Sequence, residues 1–368
     1  MHYYCGVCLV GTGKSTLIKF LLAELKIDPS KIGYACYTGK ASLVLQRKGH
    51  EEAMTLHRLL YKTFKNKDGT FSHIPREELD QPYEILIFDE VSMIPTSIWT
   101  HALRHGIHII ALGDPFQLPA LYEENNLLDK PHVFLTEVMR QALDSEIIKI
   151  SMDVRNGVAL KPFDGKDVKI IEKHQLVSGM YTWADQIICG TNATRRKVNA
   201  QMRNLLGYGA EPQEGDKIIC LKNYWNELND YGDPLINGMI GTLSNVEFGK
   251  EQGVLGKPML IDFTPDFINN NDNLGMMKDL SVDYKLITEG NPTFARDAKP
   301  IYKHGKKVPF PKEFDYGYCI TVHKSQGDQF KKVLYFAEKV GRADAIDYAK
   351  SVYTAITRAV ERIVIVIP

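Results

Sequence analysis

Short apolar runs alternate with amphipathic segments along the first third of the chain. The runs at 3–10, 32–37, 85–88 and 107–112 are almost continuously apolar, as strands buried inside a parallel sheet are. Apolar residues at 17–22 instead repeat with helical spacing. This alternation predicts a doubly wound α/β domain, in which ligands bind outside the carboxyl ends of the strands.

A second α/β pattern begins near residue 147. Its predicted strands are 185–190, 318–322, 333–336 and 363–367. Two segments interrupt the pattern of the chain. Residues 61–82 are polar and contain Asp68-Gly69, which indicates a β-hairpin that stands off the sheet. Residues 243–313 are rich in Gly, Asn, Asp and Pro and predict a small β-rich insertion.

The segment Gly11-Thr12-Gly13-Lys14-Ser15-Thr16 joins the first predicted strand to the first predicted helix. Glycines let backbone N–H groups point at phosphate oxygens, and a helix N-terminus adds partial positive charge. Lys14 would reach the β- and γ-phosphates, and the Ser15 hydroxyl would bind Mg²⁺. The segment therefore predicts a phosphate-binding loop. The pattern G-x-x-x-x-G-K-[ST] is incomplete, because Cys8 occupies the first glycine position and Gly6 lies two positions too early.

Polar residues follow the ends of the predicted strands 85–88 and 107–112, and they suggest that the bound nucleotide is hydrolysed. Asp89 would hold Mg²⁺, and Glu90 would orient and deprotonate the attacking water. Gln117 is a candidate for sensing the γ-phosphate or positioning that water, and the alternative is an ordinary loop amide. Arg140 and Arg358 carry the planar fork that compensates charge in phosphoryl transfer, but without a family pattern a surface arginine is the simpler interpretation of each.

The composition of the chain indicates a globular protein and restricts the kind of nucleic-acid site that it can carry. With 368 residues, 44% of them hydrophobic and 24% charged, the chain predicts about two to three globular domains. The net charge is +0, so a nucleic-acid site must be a local channel rather than a basic face. Cys5-Gly6-Val7-Cys8 resembles half of a redox or zinc site, but no second cysteine pair with ligand spacing follows. A metal site is therefore not expected there. We expect free cysteines in a reducing cytosol, with no membrane span and no signal peptide.

Eight short motifs together resemble the pattern of one family. In chain order they are Gly-Thr-Gly-Lys-Ser (11–15), Tyr-Thr-Gly-Lys-Ala (37–41), Thr-Leu-His (55–57), Asp-Glu-Val-Ser-Met (89–93), Gly-Asp-Pro-Phe-Gln-Leu-Pro (113–119), Leu-Thr-Glu-Val-Met-Arg-Gln (135–141), Thr-Val-His-Lys-Ser-Gln-Gly (321–327) and Tyr-Thr-Ala-Ile-Thr-Arg-Ala (353–359). Their order resembles that of superfamily 1 DNA helicases of the RecD/Dda-like branch. The resemblance covers nearly the whole chain.

The resemblance implies an α/β fold with two RecA-like, doubly wound parallel-sheet motor domains that bind ATP and Mg²⁺ between them. The first motor domain is expected at 1–138, with a hairpin insertion at 61–82 that serves as a strand-separating pin. The second is expected at 139–242 and 314–368. A small, SH3-like β-insertion at 243–313 would separate its two parts.

The resemblance also implies roles for individual residues. Arg140 and Arg358 would reach the γ-phosphate when the cleft closes. The nucleotide-binding positions would be Gly11, Thr12, Gly13, Lys14, Ser15, Thr16, Gln326 and Gly327. The DNA-contacting positions would be Thr38, Lys40, Thr55, His57, Thr191, Asn192, Thr321, His323 and Lys324. Any one of these threonines could instead cap a helix. Phe64 or Phe71 would present a ring to the duplex junction, or pack against its own domain.

The implied function is an ATP-dependent DNA helicase or translocase that moves 5′ to 3′ along single-stranded DNA. Its expected partners are single-stranded DNA, junctions of single strand and duplex, and other replication or repair proteins, with no membrane. The motor is expected to be monomeric. Two other functions are alternatives to it. A catalytically weak nucleic-acid-binding module would retain the architecture, whereas a P-loop nucleotide kinase would leave the two C-terminal motifs unexplained.

Two departures from the family pattern bear on activity. Cys8 stands at a glycine position, where a positive φ would cost a non-glycine residue roughly 1–2 kcal/mol. Relatives also carry a glutamine-containing, adenine-contacting segment upstream of the first strand, whereas this sequence starts at that strand. The expectation is therefore either a truncated start or relaxed selectivity for adenine.

Overall fold

The computed structural model describes most of the chain in two compact units. The described residues are 3–8, 14–47, 49–65, 71–119, 127–135, 145–231, 233–250, 257–266, 275–294, 302–303, 306–307, 310–339 and 344–368. Unit 1 takes in the described residues up to Lys65 together with those of Phe71–Thr191 and Ser325–Pro368. Unit 2 takes in the described residues of Asn192–Lys324.

The helices and strands are numbered along the chain. The α-helices are α1 (Lys14–Leu25), α2 (Gly39–Arg47), α3 (Leu56–Leu60), α4 (Thr96–Leu103), α5 (Glu146–Arg155), α6 (Ser178–Trp183), α7 (Asn192–Leu205), α8 (Tyr284–Glu289) and α9 (Ala345–Ile356). Short 3₁₀ helices occur at Pro29–Lys31, Val91–Met93, Lys173–Gln175 and Val322–Ser325. The strands are β1 (Tyr3–Cys8), β2 (Ile32–Cys36), β3 (Met54–Thr55), β4 (Tyr61–Lys65), β5 (Phe71–Pro75), β6 (Ile85–Asp89), β7 (His108–Gly113), β8 (Val133–Leu135), β9 (Phe163–Asp164), β10 (Val168–Glu172), β11 (Gln186–Cys189), β12 (Lys217–Cys220), β13 (Tyr224–Leu228), β14 (Pro234–Leu235), β15 (Ile240–Phe248), β16 (Pro258–Pro265), β17 (Met277–Asp283), β18 (Tyr302–Lys303), β19 (Lys306–Lys307), β20 (Phe314–Tyr316), β21 (Cys319–Thr321), β22 (Phe330–Phe336) and β23 (Ala359–Ile367).

The first sheet of unit 1 is parallel and has the strand order β3-β2-β6-β7-β1-β8. Alternate residues of β6 enter different cores. Ile85 and Ile87 pack in one cluster with Ile18 of α1. Leu86 and Phe88 pack in the other, with side chains of α3 and α4. Helices therefore cover both faces of the sheet, as the apolar runs predicted for a doubly wound domain.

The second sheet of unit 1 runs in the order β11-β22-β23-β10-β9. Its pairs are parallel except for the edge pair of β10 with β9. The central residues of β22 and β23 are buried, including Leu334, Tyr335 and Ile365. Two largely parallel sheets, each with helical connections, confirm the predicted α/β class.

Unit 2 contains an antiparallel sheet in the order β17-β16-β15-β12-β20. Strands β12 and β20 and the first residues of β15 lie outside 243–313, the range expected for the small insertion. The observed β-rich sheet therefore includes residues on both sides of that range. The domain boundaries and the SH3-like fold of the insertion stay predictions.

A buried carboxylate organises the connection between α7 and this sheet. Asp216 is 0% exposed and accepts hydrogen bonds from Arg203 Nε at 2.9 Å and from the Tyr318 hydroxyl at 2.9 Å. The Arg203 guanidinium also lies 4.4 Å from the centre of the Tyr316 ring. Because a buried charge requires a counter-charge and further hydrogen bonds, this set of contacts stabilises one arrangement of helix and sheet.

A β-hairpin forms within the predicted pin insertion. β4 pairs antiparallel with β5 from Tyr61↔Pro75 to Lys65↔Phe71. The Asp68-Gly69 turn that suggested it lies outside the described residues.

Cys8 does not carry the backbone strain that its position in the loop pattern predicted. It is the last extended residue of β1 and pairs with Leu135 of β8. Among the described residues, the non-glycine residues with positive φ are Lys26, Glu90 and Asp279. The expectation was wrong because the strand continues through Cys8.

The described cysteine side chains are reduced and lie inside the protein. Cys5, Cys36, Cys189, Cys220 and Cys319 are buried thiols that form no disulfide bond. In the part of the chain that the structure describes, no helix has the length and apolar character needed to cross a membrane.

Candidate functional site

The predicted phosphate loop lies between a strand and a helix. β1 ends at Cys8, and α1 begins at Lys14. Lys14, Ser15 and Thr16 therefore form the first turn of α1, where backbone N–H groups have no partner within the helix. Gly11, Thr12 and Gly13 lie outside the described residues, as do the side chains of Lys14, Ser15 and Thr16. The context of the motif is thus observed, while the side-chain roles stay predictions.

The acidic pair occupies a strained turn at the carboxyl end of β6. Asp89 is the last residue of β6, and Glu90 adopts φ 54° and ψ 44°. The Glu90 N–H donates a hydrogen bond to Asp89 Oδ1 at 2.8 Å. A left-handed conformation costs a non-glycine residue roughly 1–2 kcal/mol. Strain of this kind is concentrated at functional sites, so this turn is consistent with a catalytic role for Glu90.

The Cys36 thiol is an apolar neighbour of this pair. Cys36 ends β2 and lies opposite Asp89 in the sheet. Burial raises the pKa of the Cys36 thiol, and the negative charges of Asp89 and Glu90 raise it further. The thiol is therefore neutral and unreactive beside the two carboxylates.

The loop of residues 114–118, which carries Gln117, is fixed at its start by a buried carboxylate. Asp114 is 0% exposed, and its Oδ1 accepts from the Phe116 N–H at 3.0 Å. Its Oδ2 accepts from the Tyr353 hydroxyl of α9 at 2.6 Å. The Phe116 ring also contacts the Arg155 guanidinium, 4.3 Å from the ring centre.

Leu118 connects the end of this loop to two segments of the second sheet. Its N–H donates to Thr354 Oγ1 of α9 at 3.0 Å. Its carbonyl oxygen accepts from Gln326 Nε2 at 2.8 Å. Gln326 is buried, and Gly327 after it has φ 83°, a value that favours glycine. The structure thus brings together the 114–118 loop, Gln326 and α9, which lie far apart in the sequence.

The Gln117 side chain is buried next to these contacts and is 2% exposed. Among the described residues, its Oε1 has no hydrogen-bond partner. An acceptor left in this state costs about 1–3 kcal/mol, so a buried group of this kind requires an explanation. A bound water or ligand that donates a hydrogen bond would satisfy it.

Arg358 lies inside the protein with its donors directed at protein oxygens. It is 4% exposed, and its Nε donates to Thr354 O at 3.0 Å. Nη1 donates to Asp328 O at 3.3 Å, and Nη2 donates to Thr357 Oγ1 at 3.1 Å. Arg358 is therefore connected to the 114–118 loop through Thr354. Arg358 donates one hydrogen bond to the Thr354 carbonyl oxygen, and Leu118 donates another to the Thr354 hydroxyl. Arg140, the second predicted arginine, lies outside the described residues.

Two of the expected DNA-contacting threonines make cap-like hydrogen bonds at helix starts. Thr38 Oγ1 accepts from the Ala41 N–H at 3.2 Å, in the first turn of α2. Thr55 Oγ1 accepts from the Arg58 N–H at 3.2 Å and caps α3. These contacts confirm the alternative that the sequence left open for threonines, and they do not test contact with DNA.

Other members of the expected DNA set also have protein partners. The N–H and hydroxyl of Thr191 both donate to Glu338 Oε1, at 2.8 and 3.0 Å. Lys40 forms an ion pair with Asp328, and both side chains are largely buried. In unit 2, Asn192 Oδ1 accepts from Arg195 Nε at 3.0 Å, and Lys324 Nζ donates to Asn237 Oδ1 at 2.5 Å.

The expected DNA set is divided between the two units. Thr38, Lys40, Thr55, His57 and Thr191 belong to unit 1, and Asn192, Thr321, His323 and Lys324 belong to unit 2. Thr321 ends β21. Burial lowers the pKa of His323, which therefore favours the neutral imidazole.

His57 lies among aromatic rings at the base of the hairpin. Its ring stacks on Tyr61, with centroids 5.6 Å apart. His73 of β5 lies 6.0 Å away, and Tyr37 lies 5.9 Å away. Burial lowers the pKa of His57, and the nearby His73 lowers it further. The imidazole is therefore neutral near neutral pH.

Phe64 projects from the hairpin into solvent. It is 49% exposed, and Ile74 is 55% exposed. Because Phe64 pairs with Ser72 and Lys62 pairs with Ile74, these residues share one face of the hairpin. Phe64 is thus available for contact, whereas the Phe71 side chain lies outside the description.

Sequence reasoning missed the residues that hold the site together: Asp114, Arg155, Asp328, Tyr353 and Thr354. Most lie within or directly beside the eight motifs, which was the available signal. Their pairing was not visible, because Tyr353 and Asp114 lie 239 positions apart and Lys40 and Asp328 lie 288 apart. Within the described ranges, no three His, Cys, Asp or Glu side chains cluster in a way that could hold a metal ion.

The fold and the site define a class. α1 begins at the lysine of a phosphate-loop motif, and an acidic pair follows a parallel strand of the same sheet. A second sheet lies beside them. These features are typical of P-loop, RecA-like α/β proteins. Comparison with known sequences and structures narrows this class.

One family model matches the N-terminal part of the chain, and another matches the C-terminal part. One is described as an AAA domain and matches residues 2–180, and the other is a UvrD-like helicase C-terminal domain that matches residues 316–366. The ATP-dependent RecD2 DNA helicase of Deinococcus radiodurans is 25% identical over 381 residues, which cover 96% of this chain and 45% of that protein. An uncharacterized protein of Methanocaldococcus jannaschii is 23% identical and is matched over 36% of its length. The chain spans less than half the length of these curated relatives.

Solved structures show the same fold. The Pif1 helicase from Bacteroides in complex with ADP-AlF3 and ssDNA has a TM-score of 0.56 at 18% identity, over 99% of this chain and 88% of that one. Bacteroides Pif1 bound to ssDNA has a TM-score of 0.55 at 19% identity, over the same shares. The family models and the RecD2 relative confirm the resemblance to superfamily 1 helicases of the RecD type, and the solved structures confirm the two-domain RecA-like fold.

We expect His57 to make the fold less stable in acid. Because the pKa of His57 in the folded protein lies below its ordinary value of 6.5, the unfolded state binds more protons between these two values. The free energy of unfolding therefore decreases as the pH falls through 6.5 towards the folded-state pKa. A His57→Gln variant should lose part of this decrease, as measured by urea unfolding at pH values between about 7 and 5.

A His174→Gln variant is the control for this prediction, because His174 is 73% exposed. His105 and His323, whose pKa values burial also lowers, remain in both variants. The same pH dependence in His57→Gln as in the parent would show that burial of His57 does not contribute.

Proposed function

We propose that the chain is an ATP-dependent DNA helicase or translocase that hydrolyses ATP between two RecA-like sheets. The observation that carries this proposal is the pair of hydrogen bonds made by Leu118, to Thr354 and to Gln326. They place Gln117 of the first sheet beside the segments of the second sheet that carry Gln326 and Arg358. The relatives support the proposal, because one is described as an ATP-dependent DNA helicase and another was solved with ADP-AlF3 and ssDNA.

The residues at the carboxyl ends of the first sheet suit ATP with Mg²⁺. Gly11, Thr12, Gly13 and Thr16 would surround the phosphates with backbone N–H groups, and Lys14 would pair with the β- and γ-phosphates. Ser15 and Asp89 would hold Mg²⁺, which supplies neutralisation of phosphate charge when bound. The buried, unsatisfied Oε1 of Gln117 fits this site, because it can accept a hydrogen bond from the attacking water.

Protein groups carry out the proton transfer and stabilise the developing charge. Glu90, at its strained turn, would accept the proton of the attacking water. Arg358 would turn from the carbonyl oxygens of Thr354 and Asp328 to the γ-phosphate, and Arg140 would approach the same group. Gln326 and Gly327 would line the second-sheet side of the site. Hydrolysis then requires closure of the cleft, which couples it to movement.

The DNA track would use polar residues that contact phosphates without reading sequence. In unit 1 these are Thr38, Lys40, Thr55, His57 and Thr191, and in unit 2 they are Asn192, Thr321, His323 and Lys324. The aromatic neighbours of His57 could stack bases, a sequence-tolerant attraction of about 1–3 kcal/mol per base. Movement 5′ to 3′ and action at junctions of single strand and duplex are proposed on the family resemblance.

The first test concerns Lys14. Single-stranded oligonucleotides should stimulate ATP hydrolysis by the parent chain, and Lys14→Ala should lower the stimulated rate by about 100-fold or more, because the β- and γ-phosphates lose their counter-charge. Affinity for the oligonucleotide, measured by fluorescence anisotropy, should stay within about threefold, since Lys14 does not lie on the proposed DNA track.

Lys149→Ala, at an exposed position of α5, is the matched control and should keep full activity. A parent that binds the oligonucleotide without any stimulation of hydrolysis would favour the binding-module alternative. Retained turnover in Lys14→Ala would refute the placement of the phosphates.

The second test concerns Phe64 as the strand-separating pin. Phe64→Ala should lower the unwinding rate of a forked duplex by about tenfold, because one base-stacking contact is worth about 1–3 kcal/mol. Hydrolysis stimulated by single strands should be unchanged, since Phe64 is not among the residues proposed to bind the nucleotide. A strand-displacement assay beside a hydrolysis assay separates the two effects.

Tyr231→Ala is the control for the pin, because Tyr231 is an aromatic residue of unit 2 that is 54% exposed. It should unwind like the parent. Unimpaired unwinding by Phe64→Ala would remove Phe64 from the pin.

A further inference from the structure

The residue that follows the seventh motif contacts two functional candidates at once. Asp328 stands directly after Thr-Val-His-Lys-Ser-Gln-Gly (321–327) and is not part of that motif. Its carboxylate forms an ion pair with the Lys40 ammonium, and the two side chains are only 8% and 16% exposed. Its carbonyl oxygen accepts a hydrogen bond from Arg358 Nη1 at 3.3 Å.

The backbone around Asp328 is held in one conformation. The Asp328 N–H donates to Ser325 O at 3.1 Å, across a turn in which Gly327 has φ 83°. Gln326, in the same turn, donates to the Leu118 carbonyl oxygen. A displacement of the Asp328 side chain therefore acts on a short, constrained segment that contacts both Arg358 and the 114–118 loop.

We propose that Asp328 is a positioning residue that couples DNA binding to hydrolysis, by occupying Lys40 and retaining Arg358 until a DNA phosphate replaces it. This inference rests on the proposed function, in which Lys40 contacts DNA and Arg358 reaches the γ-phosphate. The carboxylate and a backbone phosphate are both anions, so either one can pair with the Lys40 ammonium. They compete for one lysine.

The competition has two consequences. Without DNA, the ion pair fixes the 325–328 turn, and Arg358 stays bonded to protein carbonyl oxygens. When a phosphate takes Lys40, the Asp328 carboxylate loses the counter-charge of Lys40 in a largely buried position, which favours its movement towards solvent. Movement of this turn breaks the hydrogen bond from Arg358 and frees a donor for the nucleotide. The ion pair therefore slows hydrolysis in the absence of DNA.

Asp328→Asn tests this inference, because it keeps the side-chain volume and removes the charge. Hydrolysis without DNA should rise by about threefold to tenfold, and affinity for a single-stranded oligonucleotide should rise by a similar factor at low salt. The stimulation factor, the ratio of the rates with and without DNA, should fall accordingly. Rates come from a phosphate-release assay, and affinities come from fluorescence anisotropy.

Lys40→Gln provides a second variant with a different signature. It also removes the ion pair, so hydrolysis without DNA should rise, but affinity for the oligonucleotide should fall because a phosphate contact is lost. Glu227→Gln is the control, since Glu227 also forms an ion pair, with Lys312 at 2.6 Å, and neither residue belongs to the proposed nucleotide site or DNA track. It should change neither the rate without DNA nor the affinity, and thermal unfolding verifies that each variant is folded.

Each result has one meaning. The parent chain is measured first, and a parent without DNA-stimulated hydrolysis refutes the proposed function itself. With a stimulated parent, unchanged DNA-free hydrolysis in both Asp328→Asn and Lys40→Gln would overturn the role of Asp328. If Asp328→Asn does not fold, unchanged DNA-free hydrolysis in Lys40→Gln alone has the same consequence.

Discussion

The hydrogen bonds of Leu118 connect the two parallel sheets of unit 1. One bond reaches Thr354 of α9, and the other reaches Gln326 in the turn before β22. Because both partners belong to segments that follow or precede strands of the second sheet, the carboxyl end of β7 lies against that sheet. The 114–118 loop, the 325–328 turn and the start of the 354–358 segment therefore meet at one place. The candidate nucleotide site depends on this meeting.

Charges around this place are paired inside the protein. Lys40 is paired with Asp328, and the donors of Arg358 bind oxygens of Thr354, Asp328 and Thr357. A cation that already has partners contributes to function only when an anion with better geometry replaces them. DNA phosphate at Lys40 and γ-phosphate at Arg358 are such anions in our proposal. Binding at one site then alters the other through the short turn that they share.

The sequence predicted well those features that depend on local pattern. Near-continuous apolar runs located β6 and β7, and the carboxyl-end position of Asp89 followed from them. Helical spacing after the glycine motif located α1. One expectation was wrong, because Cys8 was expected to be strained but extends β1. The β-rich sheet of unit 2 also includes β12 and β20, which lie outside 243–313, and the bounds of the insertion stay a prediction.

The strand pairing and the ion pair that the sequence did not reveal have one physical origin. Pairing of β12 with β20 joins segments separated by more than 90 positions, and Lys40 meets Asp328 across 288. Such contacts depend on tertiary packing, which residue type and spacing do not encode locally. The motifs named the functional candidates, whereas their mutual contacts came only from the fold.

Coupling between the nucleotide site and the DNA site can be measured directly at equilibrium. The affinity of the chain for a single-stranded oligonucleotide is determined by fluorescence anisotropy, without nucleotide and with a saturating, non-hydrolysable ATP analogue. The account predicts that the analogue changes the dissociation constant by about fivefold or more, and that the oligonucleotide changes the affinity for the analogue by the same factor. Identical dissociation constants with and without the analogue, each site being occupied, would contradict it.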